Sequence, residues 1–435
     1  MFSTKPTSTP PAKRYRRQLI KGLTGSAGLC VAPLSWSKPL EPVRLSVAAF
    51  PLVDEIIKAA TPRFNQQFPH VRIELTSRQY ADHHTAMTTA LSTSVRLPDV
   101  MALESSYVGR FSHGYGLEDL SSGPYDLDSL SHRFVPYAFG QALNKRNERV
   151  AVPTDIGPGT LLYRNDLLLR AGLLPQDLSA SWEGYVQAGR RIKAVTGAYL
   201  VGHARTVKDI LIRVGLRAGD GLYFDAESRA TVNSPRFKRA FELSREVRGL
   251  GLDARVNAWS NEWAEGFRRG SIATDLTGAW MVGQMANWVA PTTKGLWRVT
   301  QLPEQTYVDY GGTFYAIPRR ANEQTKPWAW EFIKALTLDA QLQIGAFKSQ
   351  DAFPALVETH QDPFFAEPIP FLGGQPARLL WRESAQQIVA TQPHKQAKFA
   401  EEVINIELDN VLGNRKSIDS ALADAQRLIE RRARR

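Results

Sequence analysis

Residues 43–77 read VRLSVAAFPLVDEIIKAATPRFNQQFPHVRIELTS, and this stretch decides the fold class. VRLSVAA at 43–49 predicts a short apolar strand. Across residues 53–68 the apolar side chains recur at helical spacing, and in VRIEL at 71–75 they alternate as in a half-buried strand. A second helix is predicted at about 82–95 and a third strand at Val100–Leu103. Strands that alternate with helices in this way predict an α/β fold with a mostly parallel sheet covered by helices.

The rest of the chain continues with more helices than strands. Further strands are predicted at about 150–153, 199–202 and 311–317. Helices are predicted at about 158–171, 182–195, 206–218, 235–249, 259–269, 278–288, 327–345, 377–390 and 399–431. With 435 residues, the chain is too long for one ordinary domain and long enough for two.

The net charge of +11 is concentrated at the two ends of the chain. Residues 1–37 contribute +6 and residues 427–435 contribute +4, which leaves +1 for everything between them. A nucleic-acid-binding protein needs a basic surface on its folded body. The near-neutral body therefore argues against a nucleic-acid partner, and residues 431–435 are interpreted as a solvated basic tail.

The first 37 residues have the layout of an export signal. RRQLIK at 16–21 resembles the core of a twin-arginine signal, a modest apolar run follows it, and SWS at 35–37 supplies small residues for cleavage. We therefore expect export to the periplasm and cleavage after residue 37. Lipid attachment at Cys30, the single cysteine, is disfavoured because Leu29 before it is bulky. No later stretch is apolar for about 18 residues, so no transmembrane helix is predicted.

Eight motifs follow one another between residues 43 and 430. They are FPHVRIEL, LPDVMALESSYVGRFSHGYGLEDLSS, VAVPTDIGPGTLLYRNDLLLRAGLL, SWEGYVQAGRRIKA, FRRGSIATDLTGAWMVGQM, GGTFYAIPRRANEQTKPWAWEFIKALT, DAFPALVE and NVLGNRKSIDSALADAQRLIER. In this order they resemble the extracellular solute-binding proteins of ABC transporters, in the large family that includes maltose-type sugar-binding proteins. The fifth motif is the most specific, because Phe267, Gly270 and the Gly278-x-Trp280 turn match the family's pattern. Arg164 departs from it, since a second tyrosine is usual there.

The resemblance implies an α/β protein with two lobes, of the periplasmic-binding-protein type (class II), with the ligand in a cleft between the lobes. The first lobe is expected at 43–152 plus 311–365 and the second at 156–309 plus 370–430. Closure around a ligand expels water, and the closed form would be recognised by the membrane permease. The implied function is the delivery of a small solute, above all a mono- or oligosaccharide, by a monomer that is not an enzyme and has no catalytic residue, metal or cofactor.

A sugar site matches aromatic rings to the faces of the sugar and polar side chains to its hydroxyls. By resemblance, such residues lie in loops at the carboxyl ends of strands. The candidate ligand-binding residues are Phe50, Tyr80, Glu104, Ser105, Asp155, Gly278, Trp280, Gly312, Tyr315, Arg378 and Trp381. Trp280 is expected to be a stacking platform, or else a core residue beneath its turn.

Structural roles remain open for several of these residues. Asp155 would bind a hydroxyl or cap the helix predicted near Pro158, and Gly312 would let the backbone approach the ligand or cross between lobes. The alternatives are a core position for Phe50, a lobe surface for Tyr80, a capping or surface carboxylate for Glu104 and a helix surface for Arg378.

Two other classes of protein are weaker alternatives. An exported hydrolase is disfavoured because the chain lacks a G-x-S-x-G motif and its adjacent carboxylates would not converge on one substrate. His83 and His84 lie in one helical stretch, where neighbours point about 100° apart, so we predict surface histidines rather than a metal pair. A binding protein for a polyamine, an amino acid or a metal complex would share the fold and differ in the charged side chains of its cleft.

Overall fold

The computed structural model describes residues 41–112, 116–392 and 394–433. The predicted export signal with Cys30 lies outside the described residues, as do the last two residues of the predicted basic tail. No helix within the described ranges has the length and apolar character to cross a bilayer.

The strands of the described chain form one sheet. They are β1 Val43–Ala49, β2 Val71–Ser77, β3 Val100–Glu104, β4 Val152–Arg164, β5 Thr274–Gly278, β6 Trp297–Thr300 and β7 Asp309–Ala316. Their order is β2-β1-β3-β7-β4-β5, and β6 also pairs with β4. β1 is parallel to β2 and β3, whereas β7 is antiparallel to β3 and β4. The sheet is therefore parallel only at one edge and antiparallel from β7 onward, so the prediction of a mostly parallel sheet is wrong.

Helices cover the sheet and fill most of the second half of the chain. They are α1 Val53–Gln67, α2 Tyr80–Thr93, α3 Ser105–Ser112, α4 Pro136–Gln141, α5 Asn165–Arg170, α6 Pro175–Ser179, α7 Trp182–Thr196, α8 Arg205–Leu211, α9 Pro235–Gly249, α10 Asn261–Arg268, α11 Met281–Gln284, α12 Lys326–Leu338, α13 Ala340–Gln350, α14 Ala377–Gln387, α15 Ala397–Leu412 and α16 Ile418–Ala433. A π-helical turn, Met285–Val289, continues α11.

Local sequence signals explain several helix boundaries. The hydroxyl of Ser181 accepts a hydrogen bond from the backbone N–H of Gly184 (2.9 Å) and caps α7. Pro235 begins α9, where its fixed φ suits the first helical position. The helix predicted at 327–345 is divided because Asp339 caps α13, its carboxylate accepting from the N–H of Gln341 (2.9 Å).

β4 is the largest departure from the sequence prediction. A helix was predicted at 158–171, but the strand continues to Arg164 and only α5 is helical. Nearly every residue of β4 is buried. A strand buried on both faces shows a continuous apolar run without alternation, which periodicity does not separate from a helix. Asp155 lies inside this strand, so it does not cap a helix. The strand predicted at 199–202 is present only as isolated bridges.

The molecule has two lobes that β4 and β7 connect. The first lobe contains β1, β2 and β3, with α1 packed on β2, α3 on β3, and α12 on α1. The second contains β5 and the end of β4, and its core is filled by α7, α8, α9, α15 and α16. β7 pairs with β3 near Ala316 and with β4 as far as Asp309, so it runs from one lobe to the other. Residues at the start of β7 and the end of β3 therefore lie where the lobes meet.

Candidate functional site

A cavity of about 370 Å³ lies between α3 of the first lobe and α15 of the second, beside β7. This volume falls at the lower end of the range for small-molecule sites, about 300–1,000 Å³. The polar and aromatic residues that line it include Glu104, Ser105, Ser106, Gln141, Arg213, Tyr223, Phe224, Glu304, Asp309, Gln387, Gln392, His394, Lys398 and Glu401. Among the described residues, no group of His, Cys, Asp and Glu is arranged to hold a metal ion.

Glu104 is held at the carboxyl end of β3 by three neighbours. The hydroxyl of Tyr80 donates to Oε2 of Glu104 (2.8 Å), and the hydroxyl of Ser105 donates to Oε1 (2.8 Å). The backbone N–H of Ser106 also donates to Oε2 (3.1 Å). Burial, together with the nearby Glu104 carboxylate, raises the pKa of Tyr80, which keeps its hydroxyl protonated as a donor. The carboxylate is therefore fixed at the cavity wall, where sequence analysis placed Glu104 and Ser105.

His83 and His84 are fully buried behind this wall, so the prediction of surface histidines is wrong. Nε2 of His83 hydrogen-bonds to the carbonyl of Ala102 (2.7 Å). Nδ1 of His84 donates to the carbonyl of Tyr80 (2.8 Å), while Nε2 accepts from the N–H of Glu104 (3.1 Å). Burial lowers the pKa of His84 to about 4. The neutral rings thus find backbone partners that make burial possible, and they position the end of β3.

Asp309, Gln141 and Arg213 form a hydrogen-bonded group at the crossing strand. Nε2 of Gln141 donates to Oδ2 of Asp309 (2.8 Å), and Nε of Arg213 donates to the backbone carbonyl of Asp309 (3.1 Å). Burial raises the pKa of Asp309 to about 7, although the hydrogen bond from Gln141 and the charge of Arg213 oppose the shift. Sequence analysis missed these three residues, because they are more than 70 positions apart and no local motif joins them.

Lys398, near the start of α15, faces the first lobe across the cavity. Its ammonium lies 3.0 Å from the carboxylate of Glu401 and 5.8 Å from the ring centre of Tyr107 on α3. Burial opposes the charge of Lys398, but Glu401, Tyr107 and Glu104 raise its pKa above the ordinary value. Lys398 therefore remains a cation that interacts with groups of both lobes.

Trp280 does not line the cavity, but it contacts the strand that does. Its Nε1–H donates to the carbonyl of Tyr310 on β7 (2.7 Å). A Cβ on Gly278 would lie 2.3 Å from Nε1 of Trp280, and one on Gly311 would lie 2.9 Å from it. Both glycines are therefore needed for the indole to pack against β7. Gly311 also lines the cavity, so Trp280 contacts a residue of the cavity wall without lining the cavity itself.

Asp155 and Gly312 mark the close approach of the two connecting strands. A Cβ on Gly312 would lie 2.8 Å from the carbonyl oxygen of Asp155, and the φ of Gly312 is 130°. Burial raises the pKa of Asp155 to about 6, whereas a hydrogen bond with Thr313 lowers it. Neither residue lines the cavity, and Gly312 serves the crossing of strands that was one of its two expected roles.

The remaining candidates lie in packed regions away from the cavity. Tyr315 and Trp381 are 0% and 1% exposed, because they point to the core-facing sides of β7 and α14. Arg378 is also buried, with its guanidinium 3.8 Å from the ring centre of Phe364, so it is not a helix-surface arginine. Phe50 packs at the end of β1 against Tyr80, with ring centres 5.7 Å apart. In this structure, none of the four presents a surface to a ligand in the cavity.

Comparison with known proteins gives consistent matches over most of the chain. A family described as bacterial extracellular solute-binding protein matches residues 51–343. A lactose-binding protein of Rhizobium radiobacter is 23% identical over 351 residues, which cover 77% of this chain and 79% of that protein.

Two solved structures share the fold. An extracellular solute-binding protein of family 1 has a TM-score of 0.78 at 23% identity and covers 90% of this chain and 100% of that one. An ABC-transporter-associated binding protein of B. animalis subsp. lactis Bl-04, in complex with beta-1,6-galactobiose, has a TM-score of 0.75 at 19% identity, with 90% and 97% covered.

Proposed function

The chain belongs to the family of bacterial extracellular solute-binding proteins, and from this premise we propose that it binds a neutral carbohydrate and delivers it to the permease of an ABC importer. The observation that carries the proposal is the cavity, to which both lobes and the connecting strand β7 contribute polar side chains. A ligand that contacts Glu104 on one lobe and Lys398 on the other is bound best when the lobes are closed. Binding of such a ligand therefore shifts the open–closed equilibrium of the protein towards the closed form.

The chemistry of the cavity suits a ligand with many hydroxyls and no net charge. Carboxylate, amide and guanidinium groups offer both donors and acceptors, while Tyr223 and Phe224 offer rings to the faces of a sugar. Two of the charged groups already have partners of opposite charge, Lys398 with Glu401 (3.0 Å) and Glu304 with Arg239 (2.6 Å). An anionic or cationic ligand would have to break such pairs.

One observation favours a second candidate, a polyamine. Four carboxylates line the cavity beside aromatic rings, namely Glu104, Glu304, Asp309 and Glu401. Each of them already has a donor, for example Gln141 on Asp309 and Arg239 on Glu304 (2.6 Å). A polyamine would compete with these donors for the carboxylate oxygens, so carbohydrate remains the better match.

The proposal includes the layout and the location of the protein. The lobes are residues 43–152 with 311–365 and residues 156–309 with 370–430, and the cavity is the ligand cleft between them. Residues 1–37 direct the chain to the periplasm by the twin-arginine route, where it acts as a monomer. Two relatives have known ligands, lactose for one and beta-1,6-galactobiose for the other, and they support a carbohydrate as the cargo.

A thermal-shift screen followed by titration calorimetry tests the ligand class. The probes are lactose, maltose, beta-1,6-galactobiose, arabinobiose, putrescine and spermidine. A ligand at a hundredfold excess over its Kd stabilises the folded state by about 2.7 kcal/mol. We expect stabilisation by at least one sugar and by neither polyamine. Stabilisation by spermidine alone would establish the rival function.

Substitution of the cavity wall tests the site. Glu104→Gln keeps the size of the side chain and removes its charge, and we expect about tenfold weaker sugar binding, about 1.4 kcal/mol. The matched control is Glu331→Gln on α12, whose surface ion pair with Lys334 (2.8 Å) lies away from the cavity. Equal affinity in both variants would place the sugar elsewhere.

A further inference from the structure

Asp309 is a carboxyl group of the cavity wall whose charge has no direct counter-ion. It begins β7, lines the cavity and is only partly accessible to solvent. Arg213 on α8 donates from Nε to the backbone carbonyl of Asp309 (3.1 Å), and no ion pair joins its guanidinium to the carboxylate. Glu401 at the opposite wall, by contrast, is paired with Lys398 (3.0 Å). The negative charge of an ionised Asp309 is therefore poorly compensated.

The hydrogen bonds of this carboxyl group suit its acid form. Nε2 of Gln141 on α4 donates to Oδ2 of Asp309 (2.8 Å). Because Oδ2 already accepts this hydrogen bond, a proton on the carboxyl group is best placed on Oδ1. A carboxylic acid has one O–H donor, whereas a carboxylate can only accept. In its acid form, Asp309 can therefore donate to a ligand while it keeps the hydrogen bond from Gln141.

The groups around Asp309 come from several elements and act in opposite directions. Burial raises the pKa of Asp309 to about 7, and the carboxylate of Glu104 on β3 adds to the shift, whereas Gln141, the charge of Arg213 and the hydroxyl of Tyr137 oppose it. The other titratable groups of this region are Asp155 on β4, Asp209 on α8, Tyr223, Tyr310 on β7, His394, and the pair of Lys398 and Glu401 on α15. Near neutral pH, the carboxyl group is thus divided between its acid and its ionised form.

A neutral ligand in the cavity shifts this balance towards the acid. It excludes the solvent that reaches the exposed part of Asp309, and it brings no charge that could stabilise the carboxylate. Exclusion of water also strengthens the repulsion between Asp309 and Glu104, because the effective dielectric constant falls. Both effects raise the pKa of Asp309 in the complex. A cationic ligand would have the opposite effect, because it favours the ionised carboxylate.

We propose that Asp309 binds the sugar as a neutral carboxylic acid whose O–H donates to a sugar oxygen, and that sugar binding therefore takes up a proton from the buffer. This inference rests on the proposed function, and it adds a donor that selects ligands with an acceptor oxygen at this point of the cavity. A group that is more basic in the complex than in the free protein makes binding tighter at acidic pH and weaker at alkaline pH.

Titration calorimetry in buffers of different ionisation enthalpy counts the protons taken up. The probe is the sugar that binds most tightly in the screen above. For the unmodified protein, we expect an uptake of about 0.5 proton per sugar at pH 7.5 and an affinity about tenfold weaker at pH 9 than at pH 5.5. Both values correspond to a rise in the pKa of Asp309 from about 7 to about 8 on binding.

Asp309→Asn keeps a donor, because its amide N–H replaces the O–H, but it cannot titrate. The proton uptake at pH 7.5 should disappear in this variant, and its affinity at pH 9 should be about tenfold tighter than that of the unmodified protein. Asp419→Asn is the matched control, because Asp419 is an exposed carboxylate on α16 that pairs with Lys238 (3.0 Å) and does not line the cavity. It should show the uptake and the affinity of the unmodified protein.

Sugar binding without proton uptake by the unmodified protein overturns the inference and leaves the proposed function standing, and this result needs no variant. Uptake that persists in Asp309→Asn also overturns it, because another group of the wall, such as His394, would then take the proton. Binding of spermidine alone, with release of a proton, overturns both the inference and the proposed function. If no sugar of the screen binds, the proposed function fails and the inference fails with it.

Discussion

The cavity and the two exposed tryptophans, Trp259 and Trp288, present different surfaces to solvent. In the cavity, the polar groups are hydrogen-bonded to one another, as Tyr80 is to Glu104 and Gln141 to Asp309 (2.8 Å each). At Trp259 and Trp288, apolar rings are about half exposed, and Trp259 has a φ in the left-handed region. Fixed polar groups favour specificity, because a ligand must match their positions, whereas exposed rings favour contact with any apolar face that covers them. The comparison therefore assigns the selection of the ligand to the cavity.

Gly278→Ala should cause the largest loss of stability, because Gly278 lies where Trp280 packs against β7. The new Cβ would lie 2.3 Å from Nε1 of Trp280 and 2.5 Å from the carbonyl of Tyr310, and the backbone contact leaves no easy adjustment. We expect a loss of about 3 kcal/mol in the free energy of unfolding, measured in urea. Gly249→Ala is the control, because its Cβ would meet nothing within 4 Å. A Gly278→Ala protein as stable as the control would show that Trp280 is not confined by the strand.

Asp309→Asn should change how stability depends on pH. The folded-state pKa of Asp309 is raised to about 7, so its contribution to stability is full below the unfolded pKa of about 4 and is lost as pH rises through 7. The asparagine variant lacks this titration. Its stability relative to the native protein, measured by urea unfolding at each pH, should rise by up to about 4 kcal/mol between pH 4 and pH 8, because the shift spans about three pKa units. A difference that stays constant over this range contradicts the buried, protonated carboxyl.

Trp280→Phe should have a smaller effect, because Trp280 contacts β7 and does not line the cavity. Phenylalanine keeps a ring but loses the hydrogen bond to Tyr310, which leaves a backbone carbonyl without this donor. We expect a loss of about 1 kcal/mol in stability and a sugar affinity within threefold of the native value. Stability should be followed by urea unfolding and affinity by calorimetry. A sugar affinity that falls tenfold or more would show that Trp280 contacts the ligand.

Particular elements show why part of the molecule was predictable. α1 and β2 follow directly from their apolar periodicity, because each has one more buried and one more exposed face, and β1 follows from its short apolar run. β4 was mistaken for a helix since it is buried on both faces. Glu104 and Ser105 were placed at the site because the carboxyl end of a strand is a local feature.

The rest of the site depends on distant parts of the chain. Arg213, Asp309 and Lys398 come together only through the fold, and no local pattern announces them. The exposure of Trp259 and Trp288 was not predicted, because exposure and φ are properties of the folded chain, whereas composition shows only that the protein has ten tryptophans. Tyr315 and Trp381 were predicted to bind the ligand because they are aromatic and lie near a motif. An aromatic residue in such a position is as often part of the core, and both residues are buried.

The most direct test is a crystal structure of the full chain with the tightest-binding sugar. We predict a sugar ring in the cavity that contacts Glu104 from one lobe and Arg213 or Lys398 from the other. A sugar bound by one lobe alone, or an empty cavity with the sugar elsewhere on the surface, would contradict the claim that the two lobes share the ligand.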